Sequence, residues 1–221
     1  IPVLPWVIRN MTAFERPVVL STGFDITLAN TNCDDTYYGD QLGWWSLPCA
    51  DLNRTKFEDS SESAHKLRER GLDYIRDHKS RVPVVLAARA GRMWEMYRPF
   101  QKTYFDVIEG RELWAARTAL WQYYVLMPFA IGGVVVLWRR RVTLVPLLAL
   151  PVIGTVAGML AFGNTRYRIP AEIAIVTLAA VAIDAILRRW WPVAPEQAGS
   201  VAREPDEPPP TRDEPEVAVG V

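Results

Sequence analysis

Three long apolar runs lie in the second half of the chain, at residues 120–138, 143–162 and 169–187. The first run contains one strongly polar side chain, Gln122, and the second contains no charged residue. Each run has about 19 or 20 residues, which is the length an α-helix needs to cross a hydrocarbon core about 30 Å thick. A chain of this size cannot surround three buried helices of that length. The pattern therefore predicts three transmembrane helices.

The second run contains Gly154 and Gly158 at G-x-x-x-G spacing. Small residues four positions apart let two helices approach closely. We expect this pair to serve packing inside the chain rather than dimerisation.

Shorter patterns occupy the first 120 residues. Two apolar stretches, residues 18–20 and 26–28, are separated by turn-forming residues and predict a short β-hairpin. Apolar positions at three- and four-residue spacing predict an amphipathic helix over residues 61–78, capped by Asp59 or Ser60.

Two further helices are expected before the first apolar run. One is predicted from residue 83 to about residue 98, where arginines mix with aliphatic and aromatic side chains. It suits either a helix on the membrane surface or one packed on the outer region. Residues 106–117 have a polar helical pattern that leads into the first run. The predicted fold class is a mainly α membrane protein with three C-terminal transmembrane helices, a small extracytoplasmic α+β region and a disordered tail.

Charge divides the chain at the same places. The 25 basic and 25 acidic residues cancel. Residues 1–120 are balanced, residues 121–191 have seven arginines against two acids, and residues 192–221 have seven acids against two arginines. This distribution excludes a uniformly basic nucleic-acid binder, so we expect no nucleic-acid partner. The last segment is rich in proline and lacks aromatic residues, which predicts a disordered tail; a proline-recognition partner is the alternative.

Arginines set the predicted orientation. Arg139, Arg140 and Arg141 separate the first two runs, and Arg188 and Arg189 follow the third. The positive-inside rule places all five in the cytoplasm. The expected location is therefore the cell membrane, crossed several times, with an extracytoplasmic N-terminal region and a cytoplasmic tail.

The predicted organisation has four parts. The apolar start of the chain is too short to cross a membrane and has no basic flank, so we expect it to be the outer end of a truncated span. The parts are this span end at 1–8, an extracytoplasmic region at 9–120, three transmembrane helices at 121–191 and the cytoplasmic tail at 192–221.

The two cysteines, Cys33 and Cys49, flank a turn-rich stretch of the outer region. Because thiols oxidise outside the cytoplasm, we predict a disulfide between them, with two free thiols as the alternative. The loop also contains Asp34, Asp35 and Asp40. These carboxylates are either solvated turn residues or ligands for a divalent cation.

Patterns of catalytic side chains are few. His65 and His78 lie 13 positions apart on one predicted helix and would not converge. No phosphate-binding glycine loop and no zinc spacing of cysteine and histidine occurs in the sequence. A nucleophile–histidine site or a metal site therefore has little support in this chain.

One polar segment lies at the outer end of the third run. Arg166 and Arg168 flank Tyr167 directly before an apolar helix, and Glu172 follows Pro170 in its first turn. Guanidinium groups bind phosphate through paired hydrogen bonds, and a helix start adds backbone N–H donors. The segment predicts a site for a lipid phosphate at the outer leaflet. Headgroup anchoring without specificity is the alternative.

Three segments resemble one known family. Residues 165–172, Thr-Arg-Tyr-Arg-Ile-Pro-Ala-Glu, resemble the R-[YF]-R-x-P-x-E segment of bacterial GT-C-fold glycosyltransferases that use polyprenyl-phosphate sugars, which include protein mannosyltransferases and the lipid A aminoarabinose transferase. Residues 5–10 resemble the family's P-W-x-x-R-N stretch. Residues 71–78 resemble its G-x-x-x-I-R-x-H-P helix, with Lys79 in place of the usual proline. The three segments occur in order over roughly residues 1–190.

The resemblance implies the C-terminal portion of an integral membrane glycosyltransferase. Such an enzyme moves a sugar from a polyprenyl-phosphate donor to an acceptor, here unknown, on the outer face. The family's catalytic acid lies in an earlier outer loop without a counterpart here. We therefore expect no catalytic residue in this chain, and a divalent metal only in the full-length enzyme. The alternative is a non-catalytic membrane subunit whose outer region binds a partner.

The resemblance also implies roles for individual residues. Arg166 and Arg168 would stabilise the departing lipid phosphate, and Tyr167 would pack on the lipid or the sugar. Arg9 is a further candidate for the phosphate. Glu172 would orient one of the arginines.

Overall fold

The computed structural model describes residues 2–50 and 59–191, which form nine α-helices and no strand. The chain divides into two units, residues 1–183 and 184–221, and each is treated by itself. The predicted tail at 192–221 lies outside the described residues. The helices are α1 (Leu4–Ala13), α2 (Gly23–Asn30), α3 (Asp34–Tyr37), α4 (Ser60–Asp77), α5 (Val82–Met93), α6 (Pro99–Ile108), α7 (Leu113–Arg139), α8 (Val145–Leu160) and α9 (Ile169–Trp190).

The predicted hairpin is wrong, because its second stretch lies inside α2. Helix α2 packs closely on α4: a Cβ at Gly71 would lie 2.9 Å from the carbonyl oxygen of Leu28. In the first stretch, the carbonyl of Leu20 accepts hydrogen bonds from the Trp6 and Asn10 side chains instead of a neighbouring strand. Tertiary packing outweighs the β preference of a three-residue run. The α+β expectation for the outer region is therefore replaced by helices throughout the described residues.

The amphipathic helix over residues 61–78 is confirmed as α4. It begins after Asp59, whose side chain accepts a hydrogen bond from the backbone N–H of Ser61 at 2.7 Å. Its buried face includes Leu67 and Gly71. Of the two caps that the sequence allowed, Asp59 is the one used.

The helix expected from residue 83 to about 98 ends earlier. Helix α5 stops at Met93, and Glu95 and Arg98 adopt left-handed backbone conformations with φ of 54° and 48°. Helix α6 then begins at a proline. Helix α5 packs on α8 and buries both Val85 and Met93.

The predicted continuous helix over residues 106–117 is also interrupted. Helix α6 ends at Ile108 and α7 begins at Leu113. Gly110, with φ of 91°, lies in the turn between them. A left-handed φ is accessible to glycine without steric cost, which allows the chain to reverse here.

Two helical stretches, Leu113–Arg139 and Thr165–Trp190, are long and apolar enough to cross a membrane. Helix α8 has 16 residues and is about 24 Å long, which is shorter than a hydrocarbon core. Its two G-x-x-x-G glycines are buried within the chain: a Cβ at Gly154 would lie 2.6 Å from the Tyr167 carbonyl oxygen, and one at Gly158 would lie 2.7 Å from Met93 Sδ.

Helices α7 and α9 run parallel to each other within residues 1–183. Arg168 lies over the ring of Tyr123, and ten residues further along both helices Gly133 lies against the backbone of Leu178. A buried apolar cluster joins the two helices between these points. Because α7 and α9 point the same way, α8 carries the chain back along them.

Cys33 and Cys49 form a disulfide, as the sequence predicts. It ties α3 to a 3₁₀ turn at Leu47–Ala50. In the second unit, the described residues are the end of α9, where Arg188 Nε lies 2.8 Å from Asp184 Oδ2.

Candidate functional site

The segment that the sequence singles out forms a 3₁₀ turn, Thr165–Arg168, which continues directly into α9. Asn164 holds the turn in place. Its side-chain oxygen accepts a hydrogen bond from the Arg166 backbone at 2.9 Å, and its amide donates to Glu109 at 3.1 Å. Asn164 is fully buried. The turn is therefore fixed both by its own capping residue and by the end of α6.

Arg168 is buried and fully engaged. Its Nε lies 2.6 Å from a Glu172 carboxylate oxygen, and its Nη1 lies 3.5 Å from Glu95. The same nitrogen donates to the Met93 carbonyl at 3.3 Å, and the guanidinium lies 3.8 Å from the centre of the Tyr123 ring. These contacts leave Arg168 little freedom to follow a ligand. Glu172 is the carboxylate that lies nearest to this arginine.

Arg166 lies at the edge of the same region and has a different environment. Its side chain is 51% exposed. Its Nη2 lies 3.1 and 3.2 Å from the two carboxylate oxygens of Glu109. The ion pair therefore faces solvent, and Arg166 can exchange a carboxylate for another oxyanion.

Three charged residues beside Arg168 were not singled out from the sequence. Lys102 Nζ lies 2.5 Å from Asp106 and 3.5 Å from Glu95, and all three side chains are at most 4% exposed. The i,i+4 spacing of Lys102 and Asp106 on α6 is a sequence signal for their pairing. Nothing local in the sequence indicates Glu95, which reaches the cluster through its left-handed backbone.

These residues surround a cavity of about 190 Å³. It has room for a phosphate group, since one water molecule takes up about 30 Å³. Four cationic side chains and three carboxylates line it, and the carboxylate of Glu109 lies 3.1 Å from one of these cations, Arg166. The charged lining residues are Glu95, Lys102, Asp106, Arg111, Arg166, Arg168 and Glu172. We call this the cationic pocket.

Two of the residues predicted to bind phosphate do not line the cationic pocket. Tyr167 packs edge-on against Phe162, with ring centres 5.5 Å apart. Arg9 lies on α1, 5.3 Å from the centre of the Trp6 ring, and donates to Asn10. The structure therefore brings Arg166, Arg168 and Glu172 together but places Tyr167 and Arg9 elsewhere.

The segment at residues 71–78, which lies at the end of α4, has contacts to the disulfide loop. Tyr74 and His78 stack with ring centres 4.0 Å apart. The Tyr74 hydroxyl donates to Asp34 at 2.6 Å, and burial together with this carboxylate raises the pKa of Tyr74. These contacts join α4 to the disulfide loop.

The acidic residues of the disulfide loop have separate partners. Asp34 accepts from Tyr74, Asp35 accepts from Ser46 at 2.9 Å, and the Asp40 side chain pairs with Arg98 at 3.3 Å. In residues 2–50 and 59–191, no group of three or more His, Cys, Asp or Glu side chains is placed to hold a metal ion.

Two buried arginines of α5 contact other parts of the chain through backbone carbonyls. Arg89 donates to the carbonyls of Thr31 and Met159, at 2.5 and 3.0 Å. Arg92 donates to the carbonyl of Leu42 at 2.6 Å. Burial lowers the pKa of each guanidinium to about 10, so both stay protonated at neutral pH.

Comparison of the chain with protein-family models, with curated proteins and with solved structures finds no match.

Proposed function

We propose that this chain is the C-terminal portion of a membrane glycosyltransferase of the GT-C fold, and that Arg166 binds the phosphate of a polyprenyl-phosphate-sugar donor. One observation carries the proposal. A half-exposed guanidinium lies at the edge of a cavity lined by four cationic side chains, directly before an apolar helix long enough to span a membrane. A lipid phosphate fits both the guanidinium and the apolar helix, because it is an anion attached to an apolar chain. The three segments that resemble the family add support.

The parallel course of α7 and α9 supports three membrane crossings. If both helices span the bilayer in the same direction, the chain between them has to return across it, and α8 lies in that connection. The loops that flank α8 supply the remaining length. With Arg139–Arg141 in the cytoplasm, the cationic pocket lies at the outer face.

The proposed chemistry is a transfer at the sugar's anomeric carbon. The bond from that carbon to the donor phosphate breaks, the phosphate leaves with the electron pair, and an acceptor oxygen forms the new bond. Arg166 releases Glu109 and pairs with the phosphate oxygens, which stabilises the negative charge that develops. The acceptor's proton goes to a carboxylate base that the resemblance places elsewhere in the full-length enzyme.

Arg168 has a positioning role in this proposal. Its contacts with Glu172 and Glu95 fix the start of α9. The start of α9 in turn sets the place of the preceding Arg166. Loss of Arg168 should therefore reduce the amount of folded protein, whereas loss of Arg166 should reduce transfer alone.

The test is sugar transfer by the full-length protein in membranes. Removing a charge-stabilising donor costs about 10²–10³ in rate where its role is fully expressed, so we expect Arg166→Ala to lower transfer at least tenfold at equal protein amount. Arg166→Lys should retain part of the activity, because a charge remains without the paired hydrogen bonds. Arg68→Ala removes an exposed arginine of α4 that pairs with Asp25 and lies outside the three resembling segments, so it serves as the control.

A non-catalytic membrane subunit is the second candidate. Each of the four lining cations already has a carboxylate within 4.0 Å, as expected of a purely structural ion network. Unchanged sugar transfer by Arg166→Ala would favour that function and remove the phosphate assignment.

A further inference from the structure

Helix α6 has its apolar and polar faces reversed. Its buried positions are Lys102, Thr103 and Asp106, each at most 3% exposed. Its exposed positions are apolar, with Tyr104 63% exposed and Ile108 70% exposed. Phe100 and Val107 complete this outward face. A helix on a protein surface in water normally shows the opposite arrangement.

The buried charges fix which face of α6 turns inward. Lys102 forms ion pairs with Asp106 on the same helix and with Glu95 before it. Rotating α6 to hide Tyr104 and Ile108 would separate Lys102 from Glu95 and would move both Lys102 and Asp106 out of the cationic pocket. The apolar face of α6 therefore points outward because the charged face lines the cationic pocket. This apolar face needs an apolar environment outside the protein.

The neighbouring elements indicate what that environment is. Only four residues separate α6 from α7, a helix long and apolar enough to span a membrane, and α6 packs against it. Trp114, in the first turn of α7, is 70% exposed, and Met96 before α6 is 76% exposed. The apolar surface of α6 thus continues into that of α7. Aromatic side chains with nearby arginines, here Arg111, are typical of the membrane–water interface.

We infer that α6 is an interfacial helix whose Phe100, Tyr104, Val107 and Ile108 side chains lie in the outer surface layer of the lipid bilayer. This inference rests on the proposed membrane insertion of α7. It adds a depth for the site: Lys102 and Asp106, on the opposite face of α6, line the cationic pocket directly above the lipid. A phosphate attached to a lipid chain would then reach the pocket without leaving the membrane surface.

Spin labels report this depth directly. In this sequence Cys33 and Cys49 are the only cysteines, and they are paired. Any cysteine elsewhere in the full-length protein is replaced by serine, so that one introduced cysteine is the only free thiol. We would label Tyr104→Cys and Ile108→Cys in the full-length protein, reconstituted in phosphatidylcholine–phosphatidylglycerol bilayers. Collision of the label with oxygen, which concentrates in lipid, is compared with collision with a water-soluble nickel chelate. Ile131→Cys, exposed on α7, is the lipid reference, and Arg76→Cys on α4 is the water reference.

The expected result is an oxygen-to-nickel ratio at Tyr104→Cys and Ile108→Cys severalfold above that at Arg76→Cys and approaching that at Ile131→Cys. Ratios equal to that of Arg76→Cys would place α6 in water and overturn the inference. Labels shielded from both reagents would show that another protein segment covers α6, which also overturns it. A water-like ratio at Ile131→Cys would instead refute the membrane insertion of α7, so the two failures are distinguishable.

Discussion

Lys102 holds two buried carboxylates together on the inner face of α6. Replacing it by methionine would keep most of its volume but leave Glu95 and Asp106 buried without their shared cation. Breaking a buried ion pair by removing one partner costs about 3–5 kcal/mol. We expect Lys102→Met to lower the free energy of unfolding by about 3 kcal/mol, measured by denaturant titration in detergent.

The matched control for Lys102→Met is Arg76→Ala. It breaks a pair with Asp73 in which both side chains are more than 60% exposed. An exposed pair contributes about 0–1 kcal/mol. Equal stability losses in the two variants would contradict a charged, buried cluster beside the pocket.

Asp59 gives the outer region a defined response to pH. The hydrogen bond from the Ser61 side chain, together with the Ser61 backbone, lowers the pKa of this carboxyl. A lowered pKa in the folded state means that the cap stabilises α4 above the unfolded pKa of about 3.9. That contribution is lost as pH falls through the folded pKa. We expect the protection of the first-turn amides of α4, which is the exchange rate relative to the intrinsic rate at the same pH, to fall below about pH 4 in the wild type.

The substitution Asp59→Asn keeps a capping side chain at the start of α4 but removes its negative charge. Asparagine also accepts an N-cap hydrogen bond but does not titrate. The difference in first-turn exchange between wild type and Asp59→Asn should therefore change over the acid range and be constant at neutral pH. An unchanging difference at every pH would contradict the assigned role of the carboxylate.

At the scale of elements, the contact between α7 and α9 depends on Gly133. A Cβ at this position would overlap the carbonyl oxygen of Leu178, so the two helices would have to separate. The neighbouring Gly132 offers a matched control, since a Cβ there would lie 3.4 Å from the Ala182 side chain, an ordinary contact. We expect Gly133→Ala to destabilise the protein by at least about 2 kcal/mol, within the range for overpacked sites.

Gly132→Ala should be neutral or slightly stabilising, because alanine favours helix over glycine. Thermal unfolding of both variants in detergent measures the difference. A Gly133→Ala protein as stable as Gly132→Ala would contradict the close approach of α7 and α9.

Elements with a long apolar run, or with two separate sequence signals, could be predicted from the sequence. The apolar runs that form α7 and α9 are longer than the apolar runs that are expected by chance. Helix α4 has both a three-four spacing and a capping residue, Asp59. The disulfide followed from Cys33 and Cys49 being the only pair in a region expected outside the cytoplasm. In each case the signal lies within one segment of chain.

The remaining features depend on contacts that are distant in sequence. Residues 26–28 favour a strand locally, but packing against Gly71 makes them helical. The break between α5 and α6 lies at Glu95 and Arg98, which both have a left-handed backbone. Neither position is a glycine, so the sequence does not mark the break. For the same reason the pocket was only half predicted. Arg168 has a recognisable motif, whereas its partner Glu95 comes from more than seventy positions earlier.

At the scale of the molecule, the proposed function requires the outer region and the α7–α8 loop to lie on opposite sides of the membrane. We expect Arg76→Cys to react with a membrane-impermeant maleimide in intact cells. Thr143→Cys, exposed beside the retained Arg139–Arg141 cluster, should react only after permeabilisation, because the positive-inside rule holds that loop in the cytoplasm. Cys33 and Cys49 are paired, and both variants are made in a full-length protein whose other cysteines are replaced by serine, so labelling is unambiguous. Reaction of Thr143→Cys in intact cells would place the loop outside and put the cationic pocket on the wrong face for an outer-leaflet donor.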